Sequence, residues 1–227
     1  MFFGKDDGRG KKFEMAKKRM IEVWEKFFEI GQKLVSSGLV EANFGNLSLR
    51  SKTGQSFVIT KTKTALDDIQ KDSVIEVPID IENENGAPAE IAAMIEKAAS
   101  SETKIHRRIY QESDAGAIVH AHCPYAVVLS ILESDAGNAS VFPIDSEGKL
   151  FLKEIPIVEG AVGSGELAKN AAAAFKGGCK GVIILGHGTI AVGETLKDAY
   201  HVTAQMEHAC KIKYMVDAAK NAFFVQK

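Results

Sequence analysis

Apolar positions in the first part of the chain fall on a helical period. Val23, Phe27, Ile30 and Leu34 recur at spacings of four, three and four in an otherwise polar stretch, and on a helix they form one face. This predicts an N-terminal helix over about 12–37, with Gly38 as its C-terminal cap. The period then shortens. "FGNLSLR" and "SFVIT" read as two strands joined by the polar turn "SKTG", and "SVIEVPID" reads as a third. The Asn, Gly and Pro residues of "IENENGAPAE" break regular structure, and a helix over about 88–99 follows.

A further helix is expected to start at Ser100 or Ser101, capped by serine, and to run to about Gln111. Ile105 and Ile109 would face inward, and Glu102 and His106, four apart, would share a face. "AGAIVHAH" is a β-branched strand, and Pro124 suits the first position of a helix "PYAVVLSIL" with Cys123 at its cap. Residues 142–162 read as strand and loop; a helix then runs from Ser164 or Gly165 to Gly177 and Gly178. "GVIILGHG" reads as a buried strand ending in a glycine turn. The last helix, about 197–220, opens on a capping-box pattern, Thr195 to Asp198, with Ala199, Val202, Met206, Ala209 and Val216 inward.

With 227 residues and no internal repeat, the chain is expected to form one domain over 1–227. The hydrophobic share of 45% is that of a globular protein, and no apolar run is long enough to span a bilayer. A net charge of −2 speaks against a nucleic-acid partner. "MFFGKDDGRGKK" has no secretory or organelle signal pattern, so the cytoplasm is expected. Cys123, Cys179 and Cys210 are odd in number and form no C-x-x-C pair, which points away from disulfides and thiolate zinc. A metal would have to be held mainly by histidine.

His120 and His122 are two apart on a strand, so both imidazoles project to one side while Val119 and Ala121 face the other. Taken alone, H-x-H is equally an ordinary pair of strand histidines. The cupin pattern also begins with H-x-H, but the glutamate it needs a few residues later is absent from "CPYAVV". His187, between two glycines at the end of an apolar strand, is a plausible third ligand. Three histidines leave an open coordination position, as a catalytic metal site requires.

Four motifs in this order, "GNLS", "SSE" followed by "TKIHRRIY", "IVHAH" and "GHGTIAVG", make the chain resemble the class II aldolase/adducin superfamily, and within it the L-fuculose-1-phosphate aldolase family. The resemblance implies a three-layer α/β/α sandwich around a mainly antiparallel sheet, assembled as a homotetramer with active sites at subunit interfaces. It implies zinc, or another divalent metal such as Mn, Co or Fe, on His120, His122 and His187, with Glu102 as catalytic acid/base. Asn46, Thr62, Ser100 and Ser101 would cradle a substrate phosphate. The implied reaction cleaves a phosphorylated ketose of the 1-phosphate type into dihydroxyacetone phosphate and a small aldehyde through an enediolate. A metal stabilises the carbanion, and a glutamate transfers the proton. Burial would raise the Glu102 pKa and a nearby cation would lower it; sequence leaves both open.

Three departures stand out. In "TKTKT", Lys61 and Lys63 replace the proline and glycine of a T-P-T-G-like turn, either adding charge at the phosphate site or rerouting the loop. Neither residues 138–154 nor the tail "NAFFVQK" holds the tyrosine that family aldolases use on the aldehyde side. The stretch 88–99 looks inserted, and is expected to extend a surface rather than cover the site. The competing readings are a methylthioribulose-1-phosphate dehydratase-like lyase, an adducin-like binding module, an epimerase, against which Glu102 argues because aspartate is typical there, and redox chemistry at the same ligands.

Overall fold

Short runs of β-branched residues pair into one sheet in the computed structural model, which describes residues 9–41, 43–80 and 89–224. Its strands are β1 (Asn46–Arg50), β2 (Ser56–Thr60), β3 (Val74–Pro78), β4 (Ala117–Ala121), β5 (Ser140–Val141), β6 (Ile155–Val158), β7 (Gly181–Ile184) and β8 (Gly188–Gly193). Their order is β3-β2-β1-β4-β8-β7-β6-β5, and every neighbouring pair is antiparallel except β6 with β7. The helices are α1 (Arg9–Ser36), α2 (Ala89–Ala98), α3 (Thr103–Glu112), α4 (Pro124–Asp135), α5 (Ser146–Phe151), α6 (Gly165–Lys176) and α7 (Leu196–Phe224).

Strand alternation divides the core in two. Leu47, Val58, Val119, Ala121, Ile183 and Ala191 pack on one side against Phe27 and Leu34 of α1, Leu129 of α4 and Met206 of α7. Phe57, Ile59, Ile118, Val182 and Ile190 pack on the other against Ile105 and Ile109 of α3 and Leu167 and Phe175 of α6. The sheet is therefore the middle of three layers, as expected. Each fully buried large side chain contributes about 1.5–3 kcal/mol of transfer free energy.

The predicted ends of several helices hold. Gly38 has φ +67, and the N–H groups of Gly38 and Leu39 donate to the carbonyls of Val35 and Leu34, both at 3.0 Å, closing α1 in a Schellman motif. Thr195 and Asp198 cap α7 reciprocally: Thr195 N–H donates to Asp198 Oδ2 at 3.1 Å, and Asp198 N–H to Thr195 Oγ1 at 3.2 Å. Ser164 Oγ accepts the Leu167 N–H of α6 at 3.1 Å. The helix expected over 88–99 is α2.

Other expectations need correction. Helix α3 begins at Thr103, not at Ser100 or Ser101, because Ser100 forms a preceding turn: its hydroxyl accepts Glu102 N–H at 3.3 Å and its carbonyl accepts Thr103 N–H at 3.0 Å. Glu102 thereby occupies the cap position. Cys123 stands at the cap of α4, but its side chain makes no capping bond; the Tyr125 and Ala126 N–H groups donate instead to the Glu207 carboxylate of α7 at 3.0 and 2.9 Å. Residues 142–162, expected as strand and loop, include α5, capped by Asp145 accepting Gly148 N–H at 2.8 Å. The strand expected in "GVIILGHG" is followed after the turn by another, β8. Val216 is half-buried, because α7 leaves the core after Cys210. The expected loop over 81–90 falls largely on residues 81–88, which lie outside the described residues, as do 1–8 and 225–227. Among the described residues, no helix is long and apolar enough to cross a membrane.

Candidate metal centre

Three neighbouring strands build the site. Alternation along β4 sends Val119 and Ala121 into the α1/α4/α7 core and turns His120 to the opposite side, with His122 just past the strand end. The β7–β8 turn delivers His187, whose N–H donates to the Ile184 carbonyl at 3.0 Å, after Gly186 at φ +65. The ring centroids are 4.9 Å apart for His120 and His122, 5.1 Å for His120 and His187, and 4.5 Å for His122 and His187. Each ring offers a nitrogen within 4.8 Å of the others, and the Nε2 atoms of His122 and His187 are 3.1 Å apart.

Glu102 closes this group from the start of α3. Its Oε2 lies 3.0 Å from His120 Nε2 and its Oε1 3.6 Å from His187 Nε2, with the side chain almost wholly buried. Asn46 Nδ2 donates to Glu102 Oε2 at 2.8 Å. Gly45 permits that placement: it has φ +81, and a Cβ there would stand 2.5 Å from the His120 carbonyl oxygen. Burial pushes the Glu102 carboxyl up, but His120 by its charge and hydrogen bond, Asn46 by its hydrogen bond and His187 by its charge together hold it well below the usual carboxylate range.

The histidines divide by the same physics. Burial, and then repulsion from His120 and His187, lowers His122 to about 4; burial and His120 also lower His187. Burial alone would lower His120, but the Glu102 charge and hydrogen bond raise it. Both shifts favour the neutral ring, which has a lone pair available. His120 Nδ1 is 2.9 Å from the Thr189 carbonyl oxygen, which only accepts, so Nδ1 carries a hydrogen, and in the neutral ring Nε2 keeps the lone pair that could bind a metal. Glu102 Oε1 is buried without a hydrogen-bond partner. Three converging imidazoles, one held in the ligating tautomer, fit a divalent ion of zinc type.

A cavity of about 260 Å³ opens beside this group. Asn46, Thr62, Ser100 and Ser101 line it together with Glu102, His122 and His187, so the residues expected to share a site do so. His120 lies behind them. Lys61 and Lys63 also line the cavity, and Lys63 has φ +63, the left-handed conformation that suits the glycine it replaces. Helix α2 contributes none of the described lining residues, but its Ala98 carbonyl accepts the Thr62 N–H at 3.1 Å and so anchors the turn.

Two features escaped the sequence reading. The Phe44 ring stacks on His122, centroids 5.0 Å apart and planes 8° from parallel. Behind Glu102, β1 and α3 are joined by two rungs: Asn46 to Glu102, and Ser48 Oγ to His106 Nδ1 at 2.7 Å, with Ser48 Oγ also 2.7 Å from the Tyr110 hydroxyl. Burial lowers His106 to about 3, so this second rung is neutral. The shared face of Glu102 and His106 was visible in their spacing, whereas their partners on β1 depend on strand register.

A family model described as Class II Aldolase and Adducin N-terminal domain matches residues 25–214. The chain belongs to this family. Among its relatives, L-fuculose phosphate aldolase of Methanocaldococcus jannaschii is 29% identical over 190 residues, covering 83% of this chain and 93% of that protein. Methylthioribulose-1-phosphate dehydratase of Bacillus cereus is 29% identical over 194 residues, covering 80% and 84%. The crystal structure of L-fuculose-1-phosphate aldolase from Thermus thermophilus superposes with a TM-score of 0.75 at 30% identity, covering 88% of this chain and 96% of that one. Class II aldolase membership supports a lyase-type enzyme, and the three histidines form a site that could hold a metal ion.

Proposed function

We propose that this class II aldolase family member is a zinc-dependent aldolase, cleaving a phosphorylated ketose of the 1-phosphate type into dihydroxyacetone phosphate and a small aldehyde. The carrying observation is the convergence of three imidazoles and a buried, ionised glutamate on the edge of a cavity that also holds two lysines. His120, His122 and His187 would hold the ion, with Thr189 orienting His120. Bound there, zinc supplies Lewis-acid stabilisation of negative charge on substrate oxygens.

Glu102 moves the proton. In the cleavage direction Glu102 accepts the proton that the C4 hydroxyl loses as the C3–C4 bond breaks and the aldehyde departs with C4, and passes it to C3; in the addition direction it removes the C3 proton and returns it to the new C4 hydroxyl. Asn46 holds the carboxylate in place through one amide N–H and keeps the second for the substrate. Ser100, Ser101 and Thr62, with Lys61 and Lys63, bind the phosphate. The chain acts as one domain in a homotetramer. The exposed apolar side chains of Ile131, Leu132, Phe142, Leu150 and Phe151 support a surface that packs against other subunits.

The second reading is a dehydratase of the methylthioribulose-1-phosphate type, favoured by the B. cereus relative at the same identity as the aldolase of M. jannaschii. Product analysis separates the two. Zinc-loaded protein is given a ketose 1-phosphate, and dihydroxyacetone phosphate is detected by its enzymatic reduction. Its appearance in step with substrate loss supports the aldolase; loss of substrate with a dehydrated phosphate product and no triose supports the dehydratase.

A further inference from the structure

We infer that His106 is a positioning residue for Glu102: its bond to Ser48 holds the first turn of α3 against β1, which keeps the carboxylate at the histidine cluster. The inference deepens the proposed function and rests on its assignment of proton transfer to Glu102. Alternation along β1 turns Asn46, Ser48 and Arg50 toward α3, where Glu102, His106 and Tyr110 recur every four residues. The two rows meet step by step. Asn46 Nδ2 donates to Glu102 Oε2 at 2.8 Å, and Ser48 Oγ lies 2.7 Å from both His106 Nδ1 and the Tyr110 hydroxyl. At the foot, Arg50 donates to the carbonyls of Tyr110 and Ala115 at 2.7 Å and of Ser113 at 2.8 Å.

Stability alone does not account for an imidazole at this step. His106 is wholly buried on the side of α3 that packs Ile105, Ile109 and Tyr110 into the layer of Phe57. Its Nδ1 has the Ser48 hydroxyl, but its Nε2 meets no hydrogen-bonding group among the described residues. Burying a ring with one nitrogen unmatched costs stability that an apolar side chain of similar size would not. Such a side chain would not orphan Ser48, because the Tyr110 hydroxyl still meets it. What the ring adds is placement. The His106 N–H donates to the Glu102 carbonyl at 3.2 Å, which ties the two residues across one turn. Glu102 itself stands at the cap with φ −99 and ψ 9, without the support of a helix interior. The bond from His106 to Ser48 supplies that support. A locally unfavourable residue kept beside reacting groups is what a site that trades stability for geometry looks like.

The test separates stability from activity. Zinc-loaded His106→Leu should keep its metal and a urea midpoint at or above that of the unchanged protein. Its kcat for deuterium exchange into dihydroxyacetone phosphate should fall about tenfold or more, with KM within about twofold, as expected when a reacting group is misplaced but binding is kept. His106→Asn, whose amide can stand where Nδ1 does, should restore kcat to within about threefold. In crystals of His106→Leu the Glu102 carboxylate should move by about 0.5 Å or more from its place beside Asn46, the tolerance of a working site. An unchanged exchange rate, a clear fall in urea midpoint, or no recovery in His106→Asn overturns the inference, and so does failure of His106→Leu to fold. If the unchanged protein binds dihydroxyacetone phosphate but exchanges nothing, the proposed chemistry fails and the crystals decide. A carboxylate held in place then overturns the inference, and a displaced one sustains it.

Discussion

Lys63 is held at φ +63, a conformation that glycine adopts freely and a lysine adopts at a cost of about 1 kcal/mol or more. A charged residue kept there, on the wall of the polar cavity, fits a role in binding an anion. Lys63→Gly should therefore act in opposite directions. Stability in urea should rise by about 1 kcal/mol as the strain is released, while KM for a phosphorylated substrate should increase several-fold. An unchanged KM would separate Lys63 from the phosphate. Glu102 is a different case, since its carboxylate is buried, ionised and aimed at the histidines. Glu102→Gln preserves the shape but cannot accept the proton, and should lower turnover by at least about 10²-fold with metal content intact. A near-normal rate would remove Glu102 from the proposed chemistry.

Among the elements, α4 depends on α7 for its start. Glu207 accepts the first-turn N–H groups of Tyr125 and Ala126, so Glu207→Ala should cost about 1–2 kcal/mol in urea denaturation, as the loss of a capping side chain does. A change near zero would mean that water replaces the cap. This bond joins residues 82 apart in the chain, which explains why periodicity could place Pro124 but not its partner. Elements with a clear period or cap, such as α1, α6 and α7, were legible within a few residues. β8 was not, because "GTIAVG" lies between glycines and reads as the tail of a turn. Helix α5, six residues long, is too short to show a period. Strand alternation and the glycine turn left the three histidines open between ligands and ordinary residues, and the family motifs joined them into one set, whereas Phe44 and Ser48 become part of the site only through strand register and the path of the loop.

The whole molecule brings together residues from five regions of the chain: the start of β1 with the residues before it, the end of β4, the β7–β8 turn, the start of α3 and the turn after β2. An ion bound at their meeting point would link these regions, and ligands that bind only the folded state raise its stability. Zinc added to chelator-treated protein should raise Tm, and the rise should disappear in His187→Ala together with stoichiometric metal. Full metal retention by that variant would mean that His187 is not a ligand. Proton exchange at carbon by Glu102 beside the histidine cluster can be followed without any aldehyde. Zinc-loaded protein is incubated with dihydroxyacetone phosphate in deuterated water, and the C3 proton signal is followed by NMR. Stereospecific loss of one proton is expected, abolished in Glu102→Gln; absence of exchange, with metal and bound dihydroxyacetone phosphate both demonstrated, would contradict the proposed chemistry.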